Sequence, residues 1–286
     1  MYRDKIAAGI VTYNPDINRL MKNLSAVIEQ VGIVFIFDNG SKNIDEIEKA
    51  VFSSAILIKS QKNKGIAYAL NRLFEKSAAE GYDWLLTLDQ DSVCMPDLIN
   101  NYRRFLSEAD SITSLRYDVN YPTGDIEGLF EYRVVDRCIT SGNLVRISTW
   151  RRINGFNERL FIDMVDEDFS YRLRLSGGRI IQLGIIGFQH ELGDGSRWFI
   201  FGKNVFIGNY SEFRKYYIAR NMVYFIRKYH PKGNNYSYLK LIVLFLHTLL
   251  KEPNKWARCK ALICGSVDGF RCYKYIDSYW TEKSNI

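Results

Sequence analysis

Trp84-Leu-Leu-Thr-Leu-Asp-Gln-Asp-Ser92 is an apolar run that ends in two carboxylates, Asp89 and Asp91, with only Gln90 between them. A short apolar stretch without polar alternation reads as a strand covered on both faces, the pattern of a parallel sheet. Ligands of open α/β sheets sit outside the carboxyl ends of the strands, so acids placed there can hold a hard cation against a phosphate-bearing ligand. A solvated acidic turn ahead of Pro96 would leave the same local pattern. The rest of the chain has to decide between the two.

Upstream, strand and helix patterns alternate at short spacing. Ile6 to Asn14 is a β-branched apolar run closed by Asn14-Pro15, and Asp16 caps a helical pattern with Leu20, Leu24, Val27, Ile28 and Val31 on one face. A second strand, Ile33 to Phe37, runs into Asp38-Asn39-Gly40-Ser41. A short helix carrying Ile44, Ile47 and Val51 precedes a third strand, Ala55 to Ile58, and Gln61-Lys-Asn-Lys-Gly65 leads into a helix from Ile66 to Glu80. Four such alternations predict a doubly wound, mainly parallel α/β sheet flanked by helices. Three loops, Thr12-Tyr13-Asn14, Asp38-Asn39 and Asn63-Lys64-Gly65, then meet the acid pair at one edge. Gly65 allows close backbone approach, and a helix N-terminus offers N–H groups to phosphate. Asp38 stands where other nucleotide folds place the acid that fixes a nucleoside. Neither G-x-G-x-x-G nor G-x-x-x-x-G-K-[ST] occurs, which disfavours the standard dinucleotide and P-loop modes.

The bulk properties narrow the class. With 286 residues, 47% hydrophobic and 25% charged, the chain has the composition of a globular protein with an ample core. Five cysteines without a C-x-x-C pair and three histidines suggest neither a disulfide framework nor a zinc site, and fit a reducing cytosol. Met1-Tyr-Arg-Asp-Lys5 leads directly into a strand and lacks the apolar core of a signal peptide, so export by that route is not expected. Leu241 to Leu250, the longest apolar candidate, is about half of what a transmembrane helix needs.

After a less regular region from 93 to 138, with a helix from Leu98 to Phe105 and a strand from Ile112 to Tyr117, Ile139 to Ile147 reads as a strand interrupted by Ser141-Gly142-Asn143. Glycine inside a strand marks either a bulge or the close approach of a ligand. Asp166, Glu167 and Asp168 open a helix, where acids also serve simply as complements to the helix dipole. Gly177-Gly178 stops that helix. Arg179 to Phe188 is a further strand, and His190 follows it ahead of Gly193-Asp-Gly195.

With these residues assembled, the chain resembles glycosyltransferase family 2 enzymes of the GT-A fold, and within them the bacterial rhamnosyltransferases of surface polysaccharide synthesis. The resemblance is carried by Val11-Thr-Tyr-Asn14, Asp38-Asn39, Asn63-Lys-Gly65, Leu88-Asp-Gln-Asp-Ser92, Ser141-Gly-Asn143, Phe161-Ile-Asp-Met-Val-Asp166, Arg172, His190 with Gly193-Asp194, and Tyr216-Tyr-Ile-Ala-Arg-Asn221. Relatives often carry Glu-Trp where this chain has Asp168-Phe169, which leaves the choice of base among Asp166, Glu167 and Asp168 open. The resemblance implies a GT-A domain over residues 1–212 and an inverting transfer of a sugar, L-rhamnose from dTDP-rhamnose in the subgroup, to a saccharide or polyprenyl-linked saccharide. It places Thr12, Tyr13, Asn14, Asp38, Asn63, Lys64, Gly65, Asp89, Gln90, Asp91, Ser141, Gly142 and Asn143 against the donor. Asp91 would bind Mg²⁺ or Mn²⁺ on the donor diphosphate, with Asp89 on ribose or a metal-bound water and His190 as a further metal or diphosphate contact. Asp166 would be the general base, and Arg220 would offset charge on the diphosphate.

Residues 213–286 read as basic helices, from Phe213 to Tyr229, Tyr236 to Lys251 and Lys255 to about Tyr275. Residues 197–286 hold 16 Lys and Arg against 5 Asp and Glu, whereas residues 1–196 hold 23 against 27. A basic region beside Leu241-Ile-Val-Leu-Phe-Leu246 suits a helix lying on an anionic bilayer, which would put the enzyme at the inner face of the plasma membrane. The same apolar face would also pack on the sheet or on a second copy of the chain. Competing readings are the same fold with UDP-galactofuranose or a UDP-N-acetylhexosamine as donor, a sugar-phosphate nucleotidyltransferase, and a non-catalytic basic binding module. A nucleotidyltransferase would carry a Gly-rich basic loop where this chain has Thr12-Tyr-Asn-Pro15. Acidic strand ends would repel nucleic acid, so no nucleic-acid partner is expected.

Overall fold

A computed structural model describes residues 5–118, 130–190, 195–200, 203–229 and 238–283. Its contacts divide the chain into two compact units, Met1–Glu158 with Val165–Leu192, and Arg159–Met164 with Gly193–Ile286. The expected boundary between residues 212 and 213 falls inside the second unit.

The first unit opens with the predicted alternation: β1 (Ile6–Thr12), α1 (Ile17–Ile28), β2 (Ile33–Asp38), α2 (Ile44–Val51), β3 (Ile56–Lys59), α3 (Ile66–Ala79) and β4 (Trp84–Asp89). It continues through β5 (Val93–Cys94), α4 (Leu98–Arg103), β6 (Ser111–Asp118), β7 (Tyr132–Val134), β8 (Asn143–Arg146), α5 (Ile147–Arg152), α6 (Val165–Leu175) and β9 (Ile180–His190). The strands order as β3-β2-β1-β4-β8-β6-β9-β5, with β7 paired to β9. β3, β2, β1 and β4 run parallel, as do β6 and β9, and β8 enters antiparallel between β4 and β6. This is the GT-A-like α/β sandwich expected of the sequence.

The central strand is buried from end to end because its neighbours lie on both sides and helices on both faces. Ile6, Ala8 and Ile10 of β1 join Val34 and Ile36 of β2 and Trp84, Leu86 and Leu88 of β4 in one apolar cluster. Each large side chain there adds roughly 1.5–3 kcal/mol by leaving water. Asp16 caps α1 as expected, accepting from the Arg19 amide at 2.8 Å.

Several boundaries differ from the sequence expectation. The first strand stops at Thr12, because Asn14 turns into the left-handed region at φ 47° ahead of Pro15. The helix from Leu98 ends at Arg103. Residues 139–147 are not one interrupted strand: β8 begins only at Asn143, and Ile147 starts α5. Gly142 therefore lies in the turn before β8, at φ 70°. An added Cβ there would stand 2.2 Å from the Phe188 ring, so its small size serves packing inside the fold.

The second unit holds a hairpin of β10 (Gly195–Ile200) and β11 (Lys203–Gly208), then α7 (Glu212–Tyr229), α8 (Tyr238–Lys251) and α9 (Lys255–Lys283). The three helices match the C-terminal helical appendage read from sequence, with α9 running past Tyr275. The hairpin had no counterpart in that reading.

Candidate active site

The register of β1 gathers the site. Thr12 stands beside Asp38 on one flank, and Val11 stands beside Asp89 on the other, so two acid-ended strands finish level with the strand between them. Asp38 is fully buried. Its Oδ1 accepts from the hydroxyls of Thr12, at 3.1 Å, and Ser41, while Oδ2 accepts from the amides of Gly40, at 3.1 Å, and Ser41, at 2.9 Å. Four donors on a buried carboxylate make Asp38 the organiser of its own loop.

The three loops are knitted together. The Asn39 side chain donates to Asn63 Oδ1 at 3.0 Å and to the Gly65 carbonyl at 3.2 Å, and accepts from the Lys64 amide at 2.9 Å. Asn63 in turn accepts from the Gly65 amide at 2.9 Å. Gly40, at φ 85°, lets this happen, since a Cβ there would stand 2.7 Å from backbone atoms of Lys62. Lys64 lies along α3, with Nζ 3.1 Å from the Tyr68 hydroxyl and over its ring. The Tyr13 amide donates to Gln90 Oε1 at 2.8 Å, and the Asn14 amide to Ser41 Oγ at 2.7 Å. Tyr13 itself is about half exposed.

The acid-bearing turn is held from beneath. Asn23 of α1 donates to the Asp89 carbonyl at 2.8 Å, Arg19 donates to the Asp91 carbonyl at 2.9 Å, and the Asp89 amide donates to Ser141 Oγ at 3.1 Å. Ser141 donates onward to Ser92 at 2.7 Å. Asp89, Gln90 and Asp91 are all partly exposed. Arg19 and Asn23 were missed in the sequence, although Asn23 interrupts an otherwise apolar helix face, which is the signal that identifies it. Asn143 is buried, with its amide spent on Ser111, at 2.6 Å, and Cys138, at 3.2 Å. Its side chain shapes the interior of the sheet, whereas Ser141 reaches the Asp89 turn.

The three acids opening α6 sort by environment. Asp168 is fully buried and takes Arg172 Nε at 2.7 Å, one helical turn on. Glu167 pairs with Arg137 at 2.9 Å. Asp166 is partly exposed, with Oδ1 accepting from the Glu167 amide at 3.0 Å. Nearby, burial pushes the Cys138 thiol up to about 11, aided by the charges of Asp166 and Glu167 and opposed by hydrogen bonds from Ser111 and Ser170.

His190 ends β9, its backbone in register with Asp118, and its side chain lies outside the described residues, as does Asp194. Arg220 belongs to the second unit. There its guanidinium donates to the carbonyls of Arg159, at 2.5 Å, and Leu160, at 3.2 Å, and to Asn221 Oδ1 at 2.9 Å. Beside it, the Asn221 amide donates to the carbonyls of Leu160, Ile162 and Asp163 at 2.7–3.0 Å. The turn these groups hold has left-handed backbone at Phe161, Asp163 and Met164.

Asp89 and Asp91 fit a divalent ion in one specific way. Both are hard oxygen donors, and among the described residues no group of three or more His, Cys, Asp or Glu forms a closed cage. Mg²⁺ and similar ions use one or two carboxylates and complete their shell with water and substrate phosphates.

A parallel half-sheet with interlocked loops at its carboxyl edge, closed by an acid pair where the fourth strand ends, is the arrangement expected of a glycosyltransferase of the GT-A type. The family model for glycosyl transferase family 2 matches residues 8–163, and the chain belongs to that family. It is 28% identical to the dTDP-rhamnosyl transferase RfbF of Shigella flexneri, over 93% of this chain and 95% of that protein. It is 36% identical to the rhamnosyltransferase WbbL of Escherichia coli (strain K12) over 27% of this chain and 30% of that one. The S. aureus TarS 1–349 crystal structure superposes with a TM-score of 0.56 at 14% identity, covering 98% of this chain and 92% of the other, which is a likeness of fold.

Proposed function

We propose that this glycosyltransferase moves L-rhamnose from dTDP-rhamnose, with inversion at the sugar carbon, onto a saccharide carried by a polyprenyl lipid. Similarity to RfbF along nearly the whole chain supports the sugar. The observation that carries the reaction is the β1 register, which sets the Asp38 loop and the Asp89–Asp91 turn on either side of one strand end.

Asp91 and Asp89 would hold Mg²⁺ or Mn²⁺. When bound, such an ion neutralises charge on the departing nucleotide diphosphate. The remaining work falls to the chain. The Asn39–Asn63–Gly65 lattice fixes the loop where α3 begins, and α1, through Arg19 and Asn23, fixes the turn that carries the two acids. Asp166 takes the proton from the acceptor hydroxyl as the new bond forms. The environments of its neighbours support this choice: Asp168 is buried in an ion pair, and Glu167 is drawn to Arg137. A lipid-linked acceptor would place the enzyme against the anionic cytoplasmic leaflet of the plasma membrane. No helix among the described residues is long and apolar enough to cross a bilayer.

A donor panel tests the reading. Purified full-length chain incubated with dTDP-rhamnose, UDP-galactofuranose or a UDP-N-acetylhexosamine, each with Mn²⁺ or EDTA, should release nucleoside diphosphate fastest from dTDP-rhamnose and only with metal. Preference for a UDP-sugar would replace the donor while leaving the mechanism in place. Full rates in EDTA would remove the metal.

A further inference from the structure

Helix α8 is built inside out. Leu239, Ile242, Leu246 and Leu250 follow one another at three- and four-residue spacing, which puts them on one face, and all four are exposed, Leu250 to 72%. The one fully buried residue of the helix is polar: Thr248, at 0%. It accepts from Lys215 Nζ at 2.9 Å, and Lys215, itself completely buried, also reaches Glu252 at 2.8 Å. His247 and Arg258 close on the same carboxylate at 3.2 and 2.8 Å. Helix α9 shares the outer half of the pattern, with Cys259 and Leu262 buried on its inner side. Arg258 is buried, while Trp256, Ile263, Val267 and Phe270 are exposed, Trp256 to 74%.

Water favours the opposite arrangement on both counts. Buried charges cost several kcal/mol unless well paired, and soluble proteins rarely leave long contiguous apolar rows in solvent. Scattered exposed leucines need no explanation, but ordered apolar rows outside two successive helices, with a charged network buried where the helices meet, do. An apolar medium against the outer face resolves both anomalies. The charge around the rows identifies that medium: Lys240, Lys251, Lys255, Lys260 and Arg271 are all exposed on these same helices. In residues 197–286 cations outnumber acids 16 to 5.

We infer that the outer faces of α8 and α9 form a docking surface for an anionic lipid leaflet. The leucine and isoleucine row of α8 and the Trp256 row of α9 enter the acyl boundary, and the lysines lie at headgroup level. The Lys215–Glu252–Arg258 node pins the polar sides of these helices to α7. The inference deepens the reading of a lipid-linked acceptor and rests on it for its purpose, though the binding itself is measured separately.

Flotation of the full-length chain with vesicles tests it, comparing phosphatidylcholine alone with phosphatidylcholine containing phosphatidylglycerol. The wild type should float with the anionic vesicles at low salt and largely remain unbound with the neutral ones. Leu246→Asp and Leu250→Asp should each weaken partitioning about tenfold or more, the loss expected when a leucine can no longer leave water. Lys251→Glu with Lys255→Glu should weaken it mainly at low salt. All these positions are exposed, so thermal midpoints and nucleotide-diphosphate binding should stay at wild-type values. Wild-type flotation by the leucine variants, or no flotation of the wild type, overturns the surface while leaving the transferase reading intact. A dimer in light scattering that Leu246→Asp disperses, without lipid binding, assigns the face to a second copy instead and also overturns it. Flotation without any nucleotide-sugar binding would sink the transferase reading and leave the surface standing.

Discussion

The Asp168 carboxylate is fully buried and meets the Arg172 guanidinium at 2.7 Å across one turn of α6, while Asp166, two residues earlier, keeps part of its surface in water. The same short acidic run thus supplies a structural ion pair and a candidate base. Arg172→Met would remove one partner of this buried pair and should cost about 3–5 kcal/mol. Urea unfolding of the purified variant checks this. An unchanged midpoint would mean that the pair contributes nothing to the fold.

Removing the base should act on turnover and spare binding. Asp166→Asn should keep its affinity for nucleotide diphosphate and lower kcat roughly 10²–10⁴-fold, whereas Glu167→Gln should stay within a few-fold of wild type. Steady-state kinetics on both variants separates them. A larger loss in Glu167→Gln would move the role by one residue.

Two glycines have close neighbours that leave no room for a side chain. Gly142→Ala forces a side chain into left-handed backbone and into the Phe188 ring, and should destabilise by about 2–4 kcal/mol. Gly40→Ala drives a methyl against the Lys62 backbone and should part the Asp38 and Asn63 loops, so that donor affinity falls more than stability. Thermal melts with and without nucleotide distinguish the two outcomes.

Much of this arrangement was legible before any coordinates. The alternation through β4 declared itself because each strand is a continuous apolar run and each helix shows a 3.6-residue stripe. A parallel sheet then places Thr12, Asp38 and Asp89 at one edge by topology alone. What the sequence withheld were features set by distant partners. The bonds that Asp38 accepts from Ser41 and the Gly40 amide are not visible in the sequence. Gly142 looked like a break in a strand because nothing nearby announces Phe188, forty-six residues on. Strand β5 is two residues long and β7 three, too short for a period to register. Helix α8 displays an apolar stripe, and periodicity alone cannot say that this stripe faces outward.

Alkaline pH should loosen the first unit. Burial pushes the Cys94 thiol up to about 12 and holds the Tyr102 hydroxyl well above its usual range. Both groups keep their protons longer folded than unfolded. Their contribution is whole below about pH 9 and is lost as pH rises toward 12. Urea midpoints at pH 8 and about pH 11 should show that decline. The exposed Cys264 should be alkylated at pH 8 while Cys94 stays protected.

The proposed hold of the β4 acid pair on a metal–diphosphate unit is tested most directly by calorimetry of nucleoside diphosphate binding, with Mn²⁺ and with EDTA, to the wild type and to Asp91→Asn. The wild type should bind tightly with Mn²⁺ and weakly without, and Asp91→Asn should bind weakly in both. Equal affinity of the variant and the wild type in Mn²⁺ would contradict the account.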